Sequence, residues 1–167
     1  EDFNVPQILI DNEAAAVTAV EHLIGLGHTR IAHIAGPIPE GMSIRRQKGY
    51  CLAMQAAGLE IPAGYLCRGD FTLQSGERCA RALLNAEPRP TAIFVANDEM
   101  AFGVIRQAYQ LGLSVPADLS VIGFDNIAFS EAFLPSLTTI SQPRLDIGER
   151  AMSVLLDLMN DKTPPAD

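Results

Sequence analysis

Short apolar runs alternate with longer amphipathic stretches along the chain, a pattern typical of βαβ units in an α/β fold. The apolar runs predict six strands, at residues 7–10, 30–35, 65–68, 91–96, 119–124 and 137–140. Apolar residues at helical spacing predict five helices, at residues 12–24, 44–57, 73–84, 98–111 and 143–159. Since helices separate short buried strands, the chain is predicted to form a parallel, Rossmann-like sheet.

Polar residues and glycines mark the expected ends of these elements. Asn12 is the predicted N-cap of the first helix, because its side chain can accept a backbone hydrogen bond there. Three glycines are expected to end helices, namely Gly25, Gly58 and Gly112. Residues 127–135 are predicted to be irregular, and the Pro-rich tail at 163–167 is expected to fray.

The last predicted helix carries an apolar stripe that is spaced for burial against a partner surface. Its members are Ile147, Ala151, Val154, Leu155 and Leu158. The chain has no initiator Met and enters its first predicted strand almost at once, so we expect a domain cut from a longer protein. The stripe is then expected to pack back on the domain or to pair with another copy.

Length and charge restrict the function further. The 167 residues fit one domain of ordinary size. The chain has 12 Lys and Arg against 20 Asp and Glu, and the resulting net charge of −8 repels a phosphate backbone. Its densest group of cations is small, consisting of Arg45, Arg46 and Lys48. The chain alone is therefore not expected to bind DNA.

The cysteines indicate a reducing compartment. Cys51, Cys67 and Cys79 are odd in number and lack CxxC spacing, so neither a disulfide nor a zinc site is expected. The sequence shows no secretory leader and no apolar run long enough to span a bilayer. We therefore expect a soluble cytoplasmic protein with no membrane partner.

Charged side chains stand where ligands bind in open α/β sheets, just beyond the carboxyl ends of strands. Asp125 directly follows the strand predicted at 119–124, and its carboxylate can accept hydrogen bonds from vicinal hydroxyls or a base edge. Arg45 and Arg46 stand at the head of a helix, where a guanidinium can fork onto hydroxyls or a carboxylate. The ordinary alternatives are a turn or cap residue for Asp125 and solvated charges for the arginines.

Two further strand ends add a ring and an amide. Phe71, just after the strand predicted at 65–68, could offer a flat apolar face to a sugar or base, although most Phe side chains belong to the core. Asn97 and Asp98 end the strand predicted at 91–96, where helix capping is the ordinary role. A cap and a ligand contact can coexist at adjacent positions.

Enzyme signatures are weak in this sequence. Gly25 and Gly27 lack the third glycine of a dinucleotide fingerprint, no P-loop lysine follows a glycine loop, and no serine stands in a GxSxG elbow. The three histidines, His22, His28 and His33, lack the spacing of a metal-ligand pair and are expected to pack or cap. No enzyme activity, cofactor or metal is predicted.

Seven segments, in serial order, resemble the ligand-binding domain of LacI-family transcriptional repressors, which is itself similar to periplasmic sugar-binding proteins. They are IDNEAAA from Ile10, LGHTRIAHIAGP from Leu26, RQKGY from Arg46, GDFTLQSG from Gly69, TAIFVANDEMAFG from Thr91, VPADLSVIGFDN from Val115 and LTTISQP from Leu137. The resemblance implies a periplasmic binding protein type I-like fold, mainly its C-terminal subdomain.

The resemblance also implies a domain division. Residues 1–143 would be the effector-binding subdomain, residues 144–159 a helix that packs on a missing N-terminal subdomain, and residues 160–167 a frayed tail. The DNA-binding headpiece of the family would be absent from this chain.

The resemblance implies an effector site formed by Arg46, Phe71, Asn97 and Asp125, the positions that the strand-edge argument also selects. Closure of two subdomains on a sugar or nucleoside would change how a homodimer presents its headpieces to operator DNA. GDFT, GFDN and ISQPR give the chain some likeness to the cytidine-responsive branch of the family, whereas Glu40 and Met42 depart from the purine-responsive pattern.

Two other functions stay open at this point. A periplasmic sugar-binding protein of a transport system would have the same fold. An α/β enzyme acting on a sugar is disfavoured, because no set of acid, base and nucleophile is visible.

Overall fold

A computed structural model of the chain describes residues 6–39 and 41–160. Glu40 and the tail at 163–167, about which the sequence made predictions, lie outside the described residues. The backbone divides into two units, one formed by Asp11–Ser141 and the other by Glu1–Ile10 with Gln142–Asp167.

The unit Asp11–Ser141 is a parallel sheet with helices between its strands. The strands are β1 (Ile31–Ala35), β2 (Leu66–Arg68), β3 (Ala92–Val95), β4 (Ser120–Asp125) and β5 (Thr138–Ser141). The helices are α1 (Asn12–Gly25), α2 (Gly41–Ala56), α3 (Leu73–Leu84), α4 (Asp98–Gln110) and α5 (Phe129–Ala132). The sheet order is β2-β1-β3-β4-β5, and every pair is parallel. The predicted parallel α/β fold is confirmed.

The central strands β1 and β3 are buried along their whole length, as their continuous apolar character requires. Because successive side chains of a strand point to opposite faces, Ile34 joins one core with Leu83 of α3 and Met100 of α4. His33 points to the other face and stacks on Tyr50 of α2. The sheet is therefore covered by apolar packing on both faces.

The strand register brings four loops to one edge of the sheet. Ala35 pairs with Arg68, Ile34 with Val95, and Asp125 with Ser141. Since the strands are parallel, the chain leaves β1, β2, β3 and β4 at the same edge. This edge contains the residues that the sequence selected.

The other unit contains one helix among its described residues, α6 (Arg144–Met159). It agrees with the helix predicted at 143–159, and none of its residues is buried. Residues 6–10 form no strand, so the strand predicted at 7–10 is wrong. An apolar run becomes a strand only when a neighbouring strand satisfies its backbone hydrogen bonds, and residues 6–10 are not part of the five-stranded sheet.

Two local predictions within the larger unit are also wrong. Asp11, not Asn12, is the N-cap of α1, because its Oδ1 accepts the backbone N–H groups of Glu13 and Ala14 at 3.1 and 2.9 Å. The segment 127–135 is not wholly irregular, since it contains α5. This short helix is stabilised by aromatic packing among Phe102, Phe129 and Phe133.

The expected absence of a disulfide is contradicted. Cys67 of β2 and Cys79 of α3 are joined by a disulfide, with their Cα atoms 5.7 Å apart. The spacing of 12 residues matches no short motif, but the βα connection returns α3 onto β2 and brings the two side chains together. Cys51 is a free thiol.

No helix within residues 6–39 and 41–160 is long and apolar enough to cross a bilayer. Over the same ranges, no three His, Cys, Asp or Glu side chains are grouped so that they could hold a metal ion.

Candidate functional site

Arg46 of α2 reaches inward to the carboxyl edge of the sheet and is only 2% exposed. Its Nε donates to Asn12 Oδ1 at 2.8 Å, and its Nη1 donates to the carbonyl oxygen of Ala96, just after β3. Its guanidinium carbon lies 3.5 Å from the ring centroid of Phe124, a cation–π contact. Arg45 is exposed, so Arg46 is the arginine that faces the site.

Asp125 is the last residue of β4 and lies beside Arg46. Its Oδ1 is 3.7 Å from Arg46 Nη1, and its side chain is 28% exposed whereas that of Arg46 is 3% exposed. The cation is therefore enclosed by protein, while the carboxylate opens to solvent. Asp125 has φ 116° and the following Asn126 has φ 51°, so the backbone enters the left-handed region just where the strand ends.

The charge of Arg46 persists despite its enclosure. Burial lowers the pKa of Arg46 to about 10, and the carboxylates of Asp125 and Asp98 oppose that fall. The guanidinium is therefore a cation at neutral pH. The partly exposed carboxylate of Asp125 can therefore accept hydrogen bonds from a small polar molecule, beside a cation that the protein encloses.

Phe71 lies in the loop between β2 and α3, and its ring tip meets Gly36 at the end of β1. A side chain on Gly36 would collide with the Phe71 ring and with Ser43 Oγ, so this close approach requires glycine. Phe71 has φ 69° and is half-buried. The ring therefore lies at the sheet edge, where it packs against the core without being fully buried.

The loop that carries Phe71 is held by a network around Asp70. Asp70 Oδ1 accepts the backbone N–H of Thr72 at 3.0 Å and the Thr72 hydroxyl at 2.6 Å. The backbone N–H of Asp70 donates to Ser75 Oγ at 3.0 Å. The hydroxyls of Thr72 and Ser75 lower the pKa of Asp70 to about 2. The position of Phe71 is thus set by its neighbours in the chain.

Asn97 links this loop to the end of β3. Its Oδ1 accepts the backbone N–H of Met100 at 3.1 Å, which makes Asn97 the N-cap of α4, and its Nδ2 donates to the carbonyl oxygen of Phe71 at 3.0 Å. Ala96, which accepts from Arg46, is its chain neighbour. The structure therefore brings Phe71, Asn97, Arg46 and Asp125 together through a continuous set of contacts.

Asp98, which follows β3 and was also considered as a site residue, is buried, and both of its carboxylate oxygens accept hydrogen bonds. Its Oδ2 accepts the backbone N–H of Ile127 at 2.9 Å and the hydroxyl of Ser130 at 2.7 Å. Its Oδ1 accepts the hydroxyl of Thr139 at 2.5 Å. Asp98 thus ties α4 to the segments around α5 and β5 and faces the protein interior.

Two side chains that hold Arg46 were missed by the sequence analysis, Asn12 and Phe124. Phe124 was placed in a buried strand, and Asn12 was assigned to capping. The adjacent Asp11 is the signal that could have found Asn12. Asp11 is a second candidate N-cap, so the side chain of Asn12 did not have to be assigned to capping.

His28 and His33 have structural surroundings, as predicted for them, whereas His22 is exposed. His28 bonds Thr91 Oγ1 through Nδ1 at 3.0 Å and Ser120 Oγ through Nε2 at 2.9 Å, which links the starts of β3 and β4. His33 lies fully buried between Tyr50 and Phe94.

Comparison with known proteins identifies the class of this domain. Residues 20–167 match the family described as periplasmic binding protein-like domain. The HTH-type transcriptional repressor CytR of Escherichia coli (strain K12) is 44% identical over 158 residues, which are 95% of this chain and 46% of CytR. The chain belongs to the periplasmic binding protein-like domains, in the branch that LacI-family repressors carry.

Two solved structures show the same fold. A regulatory protein of the LacI family from Chloroflexus aggregans is 37% identical with a TM-score of 0.91, over 98% of this chain and 59% of that one. The complex of the transcriptional regulator CelR with cellobiose is 35% identical with a TM-score of 0.86, over 98% of this chain and 52% of that one. The chain thus spans about half the length of the proteins that it matches.

Proposed function

We propose that the carboxyl edge of the sheet binds a small polyhydroxylated effector, a sugar or a nucleoside. The observation that carries the proposal is the pairing of the buried Arg46 with the partly exposed Asp125. The distance between Arg46 Nη1 and Asp125 Oδ1 is 3.7 Å. A carboxylate accepts two hydrogen bonds from neighbouring hydroxyls, and a guanidinium donates along a planar edge. Because each charge offsets the other, the pair suits an uncharged ligand rich in hydroxyl groups.

Phe71 and Asn97 complete the proposed site. The half-buried Phe71 ring offers a flat face on which a sugar ring or base can stack. Asn97 holds the Phe71 loop through Nδ2, and its Oδ1, which accepts from Met100, has a second lone pair for an effector hydroxyl. The cellobiose in the CelR complex supports a sugar as one candidate effector.

The rest of the proposed function belongs to the whole protein. It would be a cytoplasmic transcriptional regulator in which effector binding favours a closed arrangement of two subdomains and thereby changes operator affinity. Residues 1–143 would supply one subdomain, and the helix at 144–159 would pack on the other. Operator DNA would be contacted only by a headpiece outside this chain, in a homodimer. The name of CytR, a repressor and not an enzyme, supports a regulatory over a catalytic role.

Calorimetry on the full-length protein tests the site. The panel contains cytidine, ribose and cellobiose, and the variants are Arg46→Ala and Asp125→Ala. Each variant removes a charged hydrogen-bonding partner of the effector, so affinity should fall by about 10- to 100-fold. Arg45→Ala is the matched control, because this neighbouring arginine is exposed, and it should bind like the wild type. Unchanged affinity in both site variants would remove the proposed site.

A further inference from the structure

Asn12 has a role at this site that lies outside the predicted set of residues. Its Oδ1 accepts Arg46 Nε at 2.8 Å, and the two residues are 8% and 2% exposed. We infer that Asn12 is a positioning residue, which fixes the plane of the Arg46 guanidinium so that its Nη edge faces Asp125 and the effector. The inference rests on the proposed function and adds to it the group that orients the cation.

The contacts of Arg46 show how its orientation is set. A guanidinium is rigid and planar. Hydrogen bonds from two of its nitrogens, together with a ring packed on one face, therefore determine its orientation. Asn12 accepts from Nε, the carbonyl oxygen of Ala96 accepts from Nη1, and the Phe124 ring covers one face. Of these three, the Asn12 side chain is the acceptor that a substitution can remove without rebuilding the sheet.

A neutral amide suits this task better than a carboxylate. An Asp at position 12 would keep the acceptor oxygen but would add a negative charge to a cation that already faces Asp125. Asn12 therefore orients Arg46 without neutralising it. The N-cap of α1 is supplied by Asp11, so capping does not account for the Asn12 side chain.

The packing of α1 on α2 brings Asn12 within reach of Arg46. A side chain on Gly49, three residues beyond Arg46 in α2, would collide with the backbone oxygen of Glu13 and lie 2.8 Å from Ala16 Cβ. Lys48 Nζ pairs with Glu13 Oε2 at 2.8 Å at the same contact. The first turn of α1 is therefore held close against α2, and the contact of Asn12 with Arg46 follows from that approach.

Nuclear magnetic resonance of the full chain labelled with ¹⁵N-arginine tests the inference without an effector. The Nε–H signal of Arg46 is assigned by its loss in Arg46→Lys. In Asn12→Leu, which has similar volume and no acceptor, hydrogen exchange at this Nε–H should be at least about ten-fold faster than in the wild type. In Asn12→Asp, which keeps the oxygen, exchange should stay slow. Exchange in Asn12→Leu within about two-fold of the wild type would overturn the inference.

Titration of the full-length protein with cytidine and cellobiose links the orientation to binding. Asn12→Leu should weaken binding about ten-fold, and it should cause no further loss in the Arg46→Lys background, where the Nε donor is missing. A purely structural role would give the same loss in both backgrounds and would overturn the inference. Arg45→Ala, which removes the exposed arginine next to Arg46 in α2, is the control and should change neither readout. If neither compound binds the wild type, the effector proposal fails, while the exchange measurement still decides the role of Asn12.

Discussion

His33 donates its Nδ1–H to the carbonyl oxygen of Phe94 at 2.9 Å and stacks on the Phe94 ring with centroids 4.7 Å apart. A carbonyl oxygen can only accept, so Nδ1 carries a proton, and burial favours the neutral form of the ring. Nε2 has no hydrogen-bond partner within the described part of the chain. Protonation there would create a buried charge and a buried donor without an acceptor.

This arrangement predicts an acid-sensitive fold. Burial lowers the pKa of His33 to about 4, the bond to Phe94 opposes that fall, and the charge of Arg46 adds to it. The unfolded chain binds the proton at the ordinary value of 6.5, so the unfolded state holds more protons between pH 6.5 and about 4. The free energy of unfolding should therefore decrease as pH falls through this window, by roughly 3 kcal/mol in all.

Urea unfolding at several pH values measures this dependence. His33→Phe keeps a stacking ring between Tyr50 and Phe94 and removes the titrating group. Whatever its stability near neutral pH, this variant should lose less stability than the wild type between pH 6.5 and about 4. Equal slopes in the two proteins would show that His33 does not carry the effect.

The disulfide predicts a redox-dependent stability. Cys67 and Cys79 close a loop that spans 12 residues, and a cross-link of this length restricts the unfolded chain by about 3 kcal/mol in the loop-entropy account. Addition of dithiothreitol should shift the urea midpoint of the wild type downward. The variant Cys67→Ser with Cys79→Ala should unfold at the lower midpoint and ignore the reductant.

Cys51→Ser provides the control for this measurement, because Cys51 is a free thiol. It should respond to dithiothreitol as the wild type does. Identical midpoints of the wild type with and without reductant would contradict a cross-link in solution.

The parallel sheet could be predicted from the sequence because its signals are local. Apolar runs such as Ile31–Ala35 and Ala92–Val95 are buried strands, and the rule that ligands lie beyond their carboxyl ends located Asp125. Phe71 and Asn97 were found for the same reason, since each lies where the chain leaves a strand. Their roles toward an effector stay predictions that the binding experiments test.

Contacts between distant parts of the chain could not be predicted in this way. Asn12 and Arg46 are 34 residues apart, and their contact depends on how closely α1 approaches α2. Cys67 and Cys79 have a spacing without a motif, and only the return of α3 onto β2 makes them neighbours. The segment 7–10 shows the reverse case, in which a strand-like apolar pattern forms no strand.

The close approach of α1 and α2 predicts that Gly49→Ala is destabilising. Its new methyl group would meet the backbone oxygen of Glu13, which the helix cannot move without shifting its whole first turn. Such overpacking should lower the free energy of unfolding by about 1–3 kcal/mol. Gly148→Ala in α6 is the matched control, because nothing lies within 4 Å of the added group. There the better helix propensity of Ala should leave stability unchanged or raised by up to about 1 kcal/mol, and equal results for the two variants would contradict the close packing.

The buried carboxylate of Asp98 predicts a larger effect. It is 1% exposed and accepts from Ile127, Ser130 and Thr139, so the amide of Asp98→Asn would turn a donor toward groups that donate now. Hydrogen bonds to a charged group contribute about 1.5–3 kcal/mol each, and the loss of one or two should lower the free energy of unfolding by about 3 kcal/mol. Glu99→Gln makes the same chemical change at the adjacent exposed position and should have almost no effect.

Hydrogen exchange at the Ile127 amide measures the same contact locally. Since Asp98 joins α4 to the segments that follow β4, this exchange should be faster in Asp98→Asn than in the wild type. An Ile127 amide that stays protected in the variant would show that Asp98 does not hold this segment.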